Sequence, residues 1–223
     1  MQKHFTSELL NNKDFLNKNY SQALIETFFR MDELLKSPSR QEELKWLKYD
    51  PKEEKDEFFD EVSTAGCTAN VVVIIKDELY VANAGDSRSV LSQNGKFIEL
   101  SIDHKPENPI EKARIYKAGG KIIKRRVCGN LNISRAIGDF TYKQGNIKRE
   151  EQIITAMPDI SITKLDEKSE FILIGCDGIW ETRNMHISMD RMREMIIGSK
   201  GRDLEGLMEM FLEESLAKEK NGI

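Results

Sequence analysis

The segment from Val71 to Leu100 constrains the fold more than any other part of the chain. It opens with five consecutive β-branched residues, Val71 to Ile75, a run too short for a buried helix and typical of a strand buried on both faces. The Asn94-Gly95 pair is a strong signal for a two-residue hairpin turn. Together these signals predict an antiparallel meander of strands at residues 71–75, 79–84, 87–91 and 97–100.

Helical periodicity flanks this region on both sides. Upstream, apolar residues at helical spacing predict a helix that Ser21 caps and Ser37-Pro38 stops; they are Leu24, Ile25, Phe28, Met31 and Leu35. Downstream, helices are predicted near 109–118 and within 188–218, and strands near 121–127, 159–165 and 171–175. Because helices and hairpin-linked strands are segregated along the chain, we expect an α+β fold with helices packed outside antiparallel sheets.

The composition limits the kind of protein and its partners. With 38 acidic and 34 basic residues the net charge is −4, which gives no general attraction to nucleic acid. Cys67, Cys128 and Cys176 cannot all pair within the chain, and 223 residues can form a core without disulfides. No run approaches the roughly 18 apolar residues of a membrane span. We therefore expect one domain over residues 1–223 of an intracellular protein, cytoplasmic or nuclear, with no nucleic-acid or membrane partner; the sequence leaves its oligomeric state open.

Two acidic turns follow predicted apolar strands. Asp86 lies in the Gly-Asp-Ser-Arg sequence at 85–88, and Asp177 lies in the Gly-Cys-Asp-Gly sequence at 175–178. A carboxylate at a strand end is held rigidly, and an adjacent glycine lets a ligand approach, which suits an oxygen-liganded cation such as Mg²⁺ or Mn²⁺. Taken alone, however, such an aspartate is more often a turn-capping residue than a metal ligand.

Five short motifs, taken together, resemble successive motifs of the type 2C (PPM-type) metal-dependent protein serine/threonine phosphatases. Their order and spacing match that family, and with the flanking helices the resemblance covers nearly the whole chain. Each motif is common on its own, but five in sequence are highly specific. The motifs are Gly66-Cys67-Thr68-Ala69, Ala82-Asn83-Ala84-Gly85-Asp86-Ser87-Arg88, Asp103-His104-Lys105-Pro106, Leu131-Asn132-Ile133-Ser134-Arg135-Ala136-Ile137-Gly138-Asp139-Phe140 and Cys176-Asp177-Gly178-Ile179-Trp180-Glu181.

The resemblance implies a central antiparallel β-sandwich with helices on both faces and a binuclear Mg²⁺ or Mn²⁺ site at one end. In that family a metal-activated water attacks phosphoserine or phosphothreonine in protein substrates, and no phosphoenzyme forms. By position, Asp177 matches a core metal ligand and Asp86 a ligand of a weaker third metal. Glu181 stands where the family usually has aspartate, and we include it as a candidate ligand of that third metal. The sequence identifies no catalytic or substrate-binding residue beyond these three.

Four other polar residues in the motifs are expected to have structural roles. His104 matches the family's Asp-His-Lys-Pro turn, whereas the family's candidate acid histidine belongs to an Asp-Gly-His-Gly-Gly motif. We expect Arg88 and Arg135 to brace loops rather than to bind substrate phosphate. Asp139 is expected to form structural hydrogen bonds, with a contribution to the negative potential of the site as the alternative.

Several family motifs have no counterpart in the sequence. They are the amino-terminal arginine and Glu-Asp segment, the Asp-Gly-His-Gly-Gly motif and the carboxyl-terminal Asp-Asn motif. The sequence alone therefore predicts a truncated phosphatase domain that lacks terminal strands and is inactive as it stands. The alternative is a noncatalytic, phosphatase-like protein that binds or regulates phosphoproteins. A cysteine phosphatase is excluded, because Thr182 and not arginine stands six positions after Cys176.

Two charged loops are candidates for partner specificity, because connecting loops commonly carry binding residues. One is the acidic stretch at 51–61. The other is the loop at 142–149, whose Lys143, Lys148 and Arg149 could meet an acidic partner. An exposed, solvated loop is the simpler interpretation of both.

Overall fold

The computed structural model describes residues 4–38, 65–182, 184–200 and 203–216. Within these ranges the α-helices are α1 (Phe5–Leu10), α2 (Lys13–Leu16), α3 (Tyr20–Lys36), α4 (Pro109–Lys117), α5 (Asp177–Thr182), α6 (Met185–Ser199) and α7 (Leu204–Ser215). The strands are β1 (Gly66–Cys67), β2 (Ala69–Ile75), β3 (Glu78–Ala84), β4 (Arg88–Gln93), β5 (Lys96–Glu99), β6 (Ile122–Ile123), β7 (Arg126–Val127), β8 (Ile137–Gly138), β9 (Asp159–Lys164) and β10 (Ser169–Gly175). Short 3-10 helices lie at Phe140–Tyr142 and Arg149–Glu151.

Two three-stranded antiparallel sheets form the centre of the described structure. One has the strand order β2-β3-β9 and the other the order β10-β4-β5. The consecutive strands β3 and β4 therefore lie in different sheets, and the prediction of one continuous four-stranded meander is wrong at this point. The chain crosses between the sheets at residues 85–87, and this crossing places Asp86 at one end of the sandwich.

The crossing depends on Gly85. Its φ is 116°, in the region of backbone conformation that glycine favours. A Cβ atom at this position would lie 2.4 Å from Cγ2 of Thr68, well inside van der Waals contact. A larger residue would therefore displace the turn that carries Asp86.

Apolar side chains from the facing sides of the two sheets form the inner core. Leu79 and Val81 of β3 pack there with Leu91 of β4 and with Leu100, and all four are almost fully buried. Partly buried side chains complete this cluster: Val72, Leu165 and Ile172. Burial of this apolar surface is the main force that holds the two sheets together.

Helices cover the outer face of each sheet. Helices α1 and α3 pack on the β2-β3-β9 sheet through a cluster that includes Phe28 and Tyr80. Helices α5, α6 and α7 pack on the other sheet through a cluster that includes Val90, Met189 and Phe211. The layers therefore run helices, sheet, sheet, helices, which confirms the α+β sandwich implied by the resemblance.

Local strand predictions are confirmed in part. The turn between β4 and β5 has φ values of 50° at Asn94 and 70° at Gly95, as a type I′ hairpin requires. Strand β2, in contrast, is not buried on both faces. It lies at the edge of its described sheet, and Ile74 is 55% exposed. The run of β-branched residues therefore predicted the strand but not its position in the sheet.

Two further local predictions are corrected. The upstream helix begins at Tyr20, so Ser21 lies within its first turn and does not cap it. The single strand expected near 121–127 is a hairpin of β6 and β7, whose turn residues Lys124 and Arg125 have φ values of 49° and 65°. None of the helices in the described ranges is long and apolar enough to cross a membrane.

Candidate functional site

Strand pairing brings the two acidic turns to the same end of one sheet. Arg88, the first residue of β4, pairs with Gly175, the last residue of β10. Asp86 precedes Arg88 by two positions and Asp177 follows Gly175 by two. Both aspartates therefore lie just beyond the ends of a pair of hydrogen-bonded strands, which hold them there rigidly.

A single lysine joins two of the three predicted metal ligands. Nζ of Lys105 lies 2.5 Å from Oδ2 of Asp86 and 3.9 Å from Oε1 of Glu181. Asp86 is buried, and the lysine ammonium balances its charge. Asp86 therefore already has a cationic partner, and a metal ion at this carboxylate would have to compete with Lys105.

Helix α5 carries the other two predicted ligands. Asp177 is its first residue and Glu181 lies four positions later, so the two carboxylates share one face of the helix. Asp177 is half-buried, whereas the side chain of Glu181 is 66% exposed. A carboxylate in the first turn is also stabilised by the partial positive charge of the helix start.

The predicted ligands do not form a metal site by themselves. In the described residues no three histidine, cysteine, aspartate or glutamate side chains gather in a way that could hold a metal ion. A Mg²⁺ site needs near-octahedral oxygen coordination, which protein carboxylates commonly share with water and phosphate. Asp86, Asp177 and Glu181 can therefore supply only part of such a site.

Arg88 braces the site, as the sequence predicted. Its guanidinium donates hydrogen bonds to both carboxylate oxygens of Asp103, each at 3.1 Å, and lies 5.8 Å from the ring centroid of Trp180. Burial alone would lower the pKa of Arg88, but the hydrogen bonds to Asp103 and the negative charges of Asp103 and Glu99 together raise it. Asp103 and Lys105 were not recognised from the sequence as part of this region. The signal was available, since both flank His104 in one motif.

His104 is structural, in agreement with the sequence prediction. Its Nδ1 accepts a hydrogen bond of 3.1 Å from the backbone N–H of Gly85, and its Nε2 lies 3.1 Å from Oδ2 of Asp159. Because Nδ1 accepts, Nε2 carries the proton and donates it to Asp159. The imidazole thereby fixes Gly85, and with it the turn that presents Asp86.

An ionic network continues from Asp159, whose side chain is 59% exposed, to the buried Glu111 on helix α4. Arg135 donates hydrogen bonds to Asp159 at 2.7 Å and to Glu111 at 2.6 Å, which confirms that Arg135 braces loops. The pKa of Asp159 is lowered to about 2, chiefly by the hydrogen bond from His104. Burial alone would raise the pKa of Glu111, but hydrogen bonds and charge from Arg135 and Arg114 lower it to about 2. Glu111 was not singled out from the sequence, because a glutamate near a helix start usually lies on the surface.

The loop at 142–149 differs from its prediction. Lys143 is not available to an acidic partner, because its side chain is fully buried and its Nζ lies 2.6 Å from Oδ2 of Asp32. Arg149 pairs with Glu26 at 2.7 Å, and Lys148 remains exposed. The acidic stretch at 51–61 lies outside the described residues.

Asp139 is buried in the same region as Lys143, away from solvent. Burial raises the pKa of its carboxyl group, and the nearby Lys143 partly offsets this effect. Its backbone lies in the left-handed region with φ of 53°, and its N–H donates to the carbonyl of Ala65 at 2.9 Å. These contacts fit the structural role predicted for Asp139.

Two solved structures share this arrangement of layers. A crystal structure of a phosphatase from a pathogenic strain of Toxoplasma gondii matches with a TM-score of 0.69 and 24% sequence identity, covering 96% of this chain and 74% of that one. A serine-threonine phosphatase 2C from Toxoplasma gondii matches with a TM-score of 0.65 and 20% identity, covering 94% of this chain and 68% of that one. At these identities the likeness shows the fold, which is that of the phosphatase 2C class.

Sequence comparisons then identify the family. The family model described as Protein phosphatase 2C matches residues 1–214. Protein phosphatase 2C 1 of Paramecium tetraurelia is 51% identical over 185 residues, 82% of this chain, and Probable protein phosphatase 2C 6 of the same organism is 44% identical over 219 residues, 98% of this chain. The chain therefore belongs to the protein phosphatase 2C family. It spans 59% of the length of the first relative and 71% of the second.

Proposed function

We propose that the protein is a phosphatase that removes phosphate from phosphoserine and phosphothreonine in proteins and uses Mg²⁺ or Mn²⁺. The family is metal-dependent in general, and its substrates are phosphoproteins. The observation that carries the proposal is the match to phosphatase 2C relatives at 44% identity over 98% of the chain. The gathering of Asp86, Asp177 and Glu181 at one end of the sandwich is consistent with it.

The three carboxylates have different roles as metal ligands in this proposal. Asp177 is the principal metal ligand, because it is half-buried at a strand end and no ion pair is formed by it within the described residues. Glu181 is assigned as a candidate ligand of the weaker third metal. Asp86 is assigned to the weaker third metal, where it must exchange Lys105 for the cation. The remaining ligands are water, substrate phosphate or groups outside the described residues.

The test measures phosphate release from phosphothreonine and phosphoserine peptides by the purified full gene product. Turnover with Mn²⁺ or Mg²⁺ that EDTA abolishes is the expected result. A monodisperse, folded protein that binds phosphopeptides but releases no phosphate with either metal would contradict the proposal. That outcome would instead favour the noncatalytic, phosphatase-like binding or regulatory function.

A further inference from the structure

All charged residues between positions 112 and 138 are basic. They include eight Lys or Arg residues and no Asp or Glu, although the net charge of the whole chain is −4. Arg114 and Arg135 are used internally, since both bond to Glu111, and Lys117 pairs with Glu151. The cations that remain available to a partner are concentrated on the hairpin formed by β6 and β7.

This hairpin presents four cations within six residues, namely Lys121, Lys124, Arg125 and Arg126. All four are exposed, and Lys121 and Lys124 form no ion pair with any residue that the structure describes. The side chain of Arg125 is 81% exposed and pairs with Glu107 at 2.6 Å. An ion pair at such an exposed position is weak, so Arg125 can exchange Glu107 for an incoming anion with little loss.

A cavity of about 280 Å³ connects the hairpin with the candidate site. Its lining includes Arg125 from the hairpin, Lys105 from the turn after β5 and Glu181 from α5. Lys105 is also the residue that bonds Asp86. A peptide that brings its phosphorylated residue to the carboxylates at the strand ends would therefore pass close to the hairpin.

We propose that the β6–β7 hairpin is a docking surface for acidic segments of the phosphoprotein substrate. Carboxylates or additional phosphates that flank the phosphorylated residue would pair with Lys121, Lys124 and Arg125. Arginine suits this role because its planar guanidinium binds carboxylate and phosphate through two parallel hydrogen bonds. The inference rests on the proposed phosphatase function and adds the class of substrate, namely phosphorylated proteins with acidic residues around the site.

A protein segment fits this surface better than a nucleic acid does. The cluster of four cations spans only one short hairpin, and the chain as a whole is acidic, so a long polyanion would find little attraction beyond the hairpin. An acidic peptide needs only local complementarity. Charges at the rim of such a contact act mainly on the association rate and on its salt dependence.

The test compares two phosphothreonine peptides of equal length, with glutamate or glutamine at the flanking positions. The full gene product is expected to cleave the glutamate peptide with a higher kcat/KM at low ionic strength, and the preference should shrink as salt is added. The double variant Lys124→Glu/Arg125→Glu should reduce the ratio of kcat/KM values, glutamate over glutamine peptide, by about tenfold. Each rate is divided by the turnover of p-nitrophenyl phosphate by the same variant.

The matched control is Lys164→Glu/Lys168→Glu, which makes the same change in charge elsewhere. Lys164 ends β9 and pairs with Glu78 at the start of β3, and Lys168 directly precedes β10, whose first residue pairs with the end of β4, so both lie at the end of the sandwich opposite Asp86. This control should keep the preference of the wild-type protein. Equal cleavage of both peptides by the wild-type protein, or an equal loss of preference in the control, would overturn the proposal.

A binding measurement separates this proposal from the proposed function. Fluorescence anisotropy of the two labelled peptides reports docking whether or not phosphate is released. If no substrate is hydrolysed but the glutamate peptide binds more tightly than the glutamine peptide, and the hairpin variant loses that difference, the phosphatase function fails and the docking surface stands. If the wild-type protein hydrolyses both peptides but binds them equally, the docking surface fails and the phosphatase function stands.

Discussion

The ammonium group of Lys105 lies 2.5 Å from the carboxylate of Asp86, a residue that is only 5% exposed. The same ammonium is 3.9 Å from Glu181, so one lysine balances two of the carboxylates that the sequence assigns to metal. The charge of Asp86 is therefore compensated without any metal ion. This relationship makes the role of Asp86 testable through its partner.

Lys105→Met is expected to lower the free energy of unfolding by about 2 kcal/mol, because it leaves a buried carboxylate without a partner. Urea denaturation at neutral pH measures the change. Lys164→Met is the control, since its pair with Asp77 is exposed and should contribute little. Mn²⁺ that restores stability to Lys105→Met, but not to a variant that also carries Asp86→Asn, would support Asp86 as a ligand. An unchanged unfolding energy in Lys105→Met would show that the pair has no stabilising role.

Asp177→Ala is expected to lower kcat by about 100-fold or more, because it removes the principal carboxylate assigned to the metal. Its effect on stability should be small, since Asp177 is half-buried and contributes mainly its charge at the start of α5. Kinetics with Mn²⁺ and thermal unfolding are measured on the same preparation. Asp77→Ala, at the opposite end of the sandwich, is the matched control. Full activity in Asp177→Ala would remove the basis of the metal assignment.

Glu111→Gln is expected to make the free energy of unfolding fall less as the pH is lowered. Its partners lower the pKa of Glu111 from 4.5 to about 2. A carboxyl group with a lowered folded-state pKa stabilises the fold above about pH 4.5, and this contribution disappears as the pH falls toward 2. Its side chain is only 3% exposed, so the shift corresponds to about 3 kcal/mol. Urea denaturation at several pH values should show a larger loss in the wild-type protein than in Glu111→Gln, and parallel curves would contradict the prediction.

The sequence predicts those features of the fold that depend on neighbouring residues. The β-branched run at 71–75 and the Asn94-Gly95 turn specify strands and a hairpin locally, and both are present. The assignment of β3 and β4 to different sheets depends on distant partners, β9 and β10, and no local signal identifies it. The turn at Lys124 and Arg125 was missed because neither residue is among those that usually adopt positive φ.

The residues of the candidate site, too, could be predicted from local sequence, whereas the contacts between them could not. The motifs identify Asp86, Asp177 and Glu181 as chemically interesting, but they do not show that Lys105 links two of them. Ion pairs between residues far apart in sequence arise only when the turns are packed together. Lys143 shows most clearly what the sequence could not predict, because a lysine in a polar loop is normally exposed and this one is buried against α3.

Lys143→Met is expected to lower the free energy of unfolding by about 3 kcal/mol, since it leaves the carboxylate of Asp32 without its cation. Lys143 also donates a hydrogen bond of 2.8 Å to the carbonyl of Ala136, so it ties helix α3 to the segment before β8. Lys148→Met is the matched control: it makes the same substitution in the same loop, at an exposed position, and should change stability by less than about 0.5 kcal/mol.

A second variant separates the ion pair from simple loss of packing. Asp32→Asn keeps an oxygen that can accept the backbone N–H of Gly138, which now donates to Asp32 at 2.8 Å. In the double variant Asp32→Asn/Lys143→Met no buried charge is left unpaired, so part of the lost stability should return. Urea denaturation of the four proteins gives the coupling energy, and hydrogen exchange should show faster opening of α3 in Lys143→Met alone. A coupling energy near zero would mean that Lys143 and Asp32 stabilise the protein independently, and the link between α3 and the β8 segment would have to rest on other contacts.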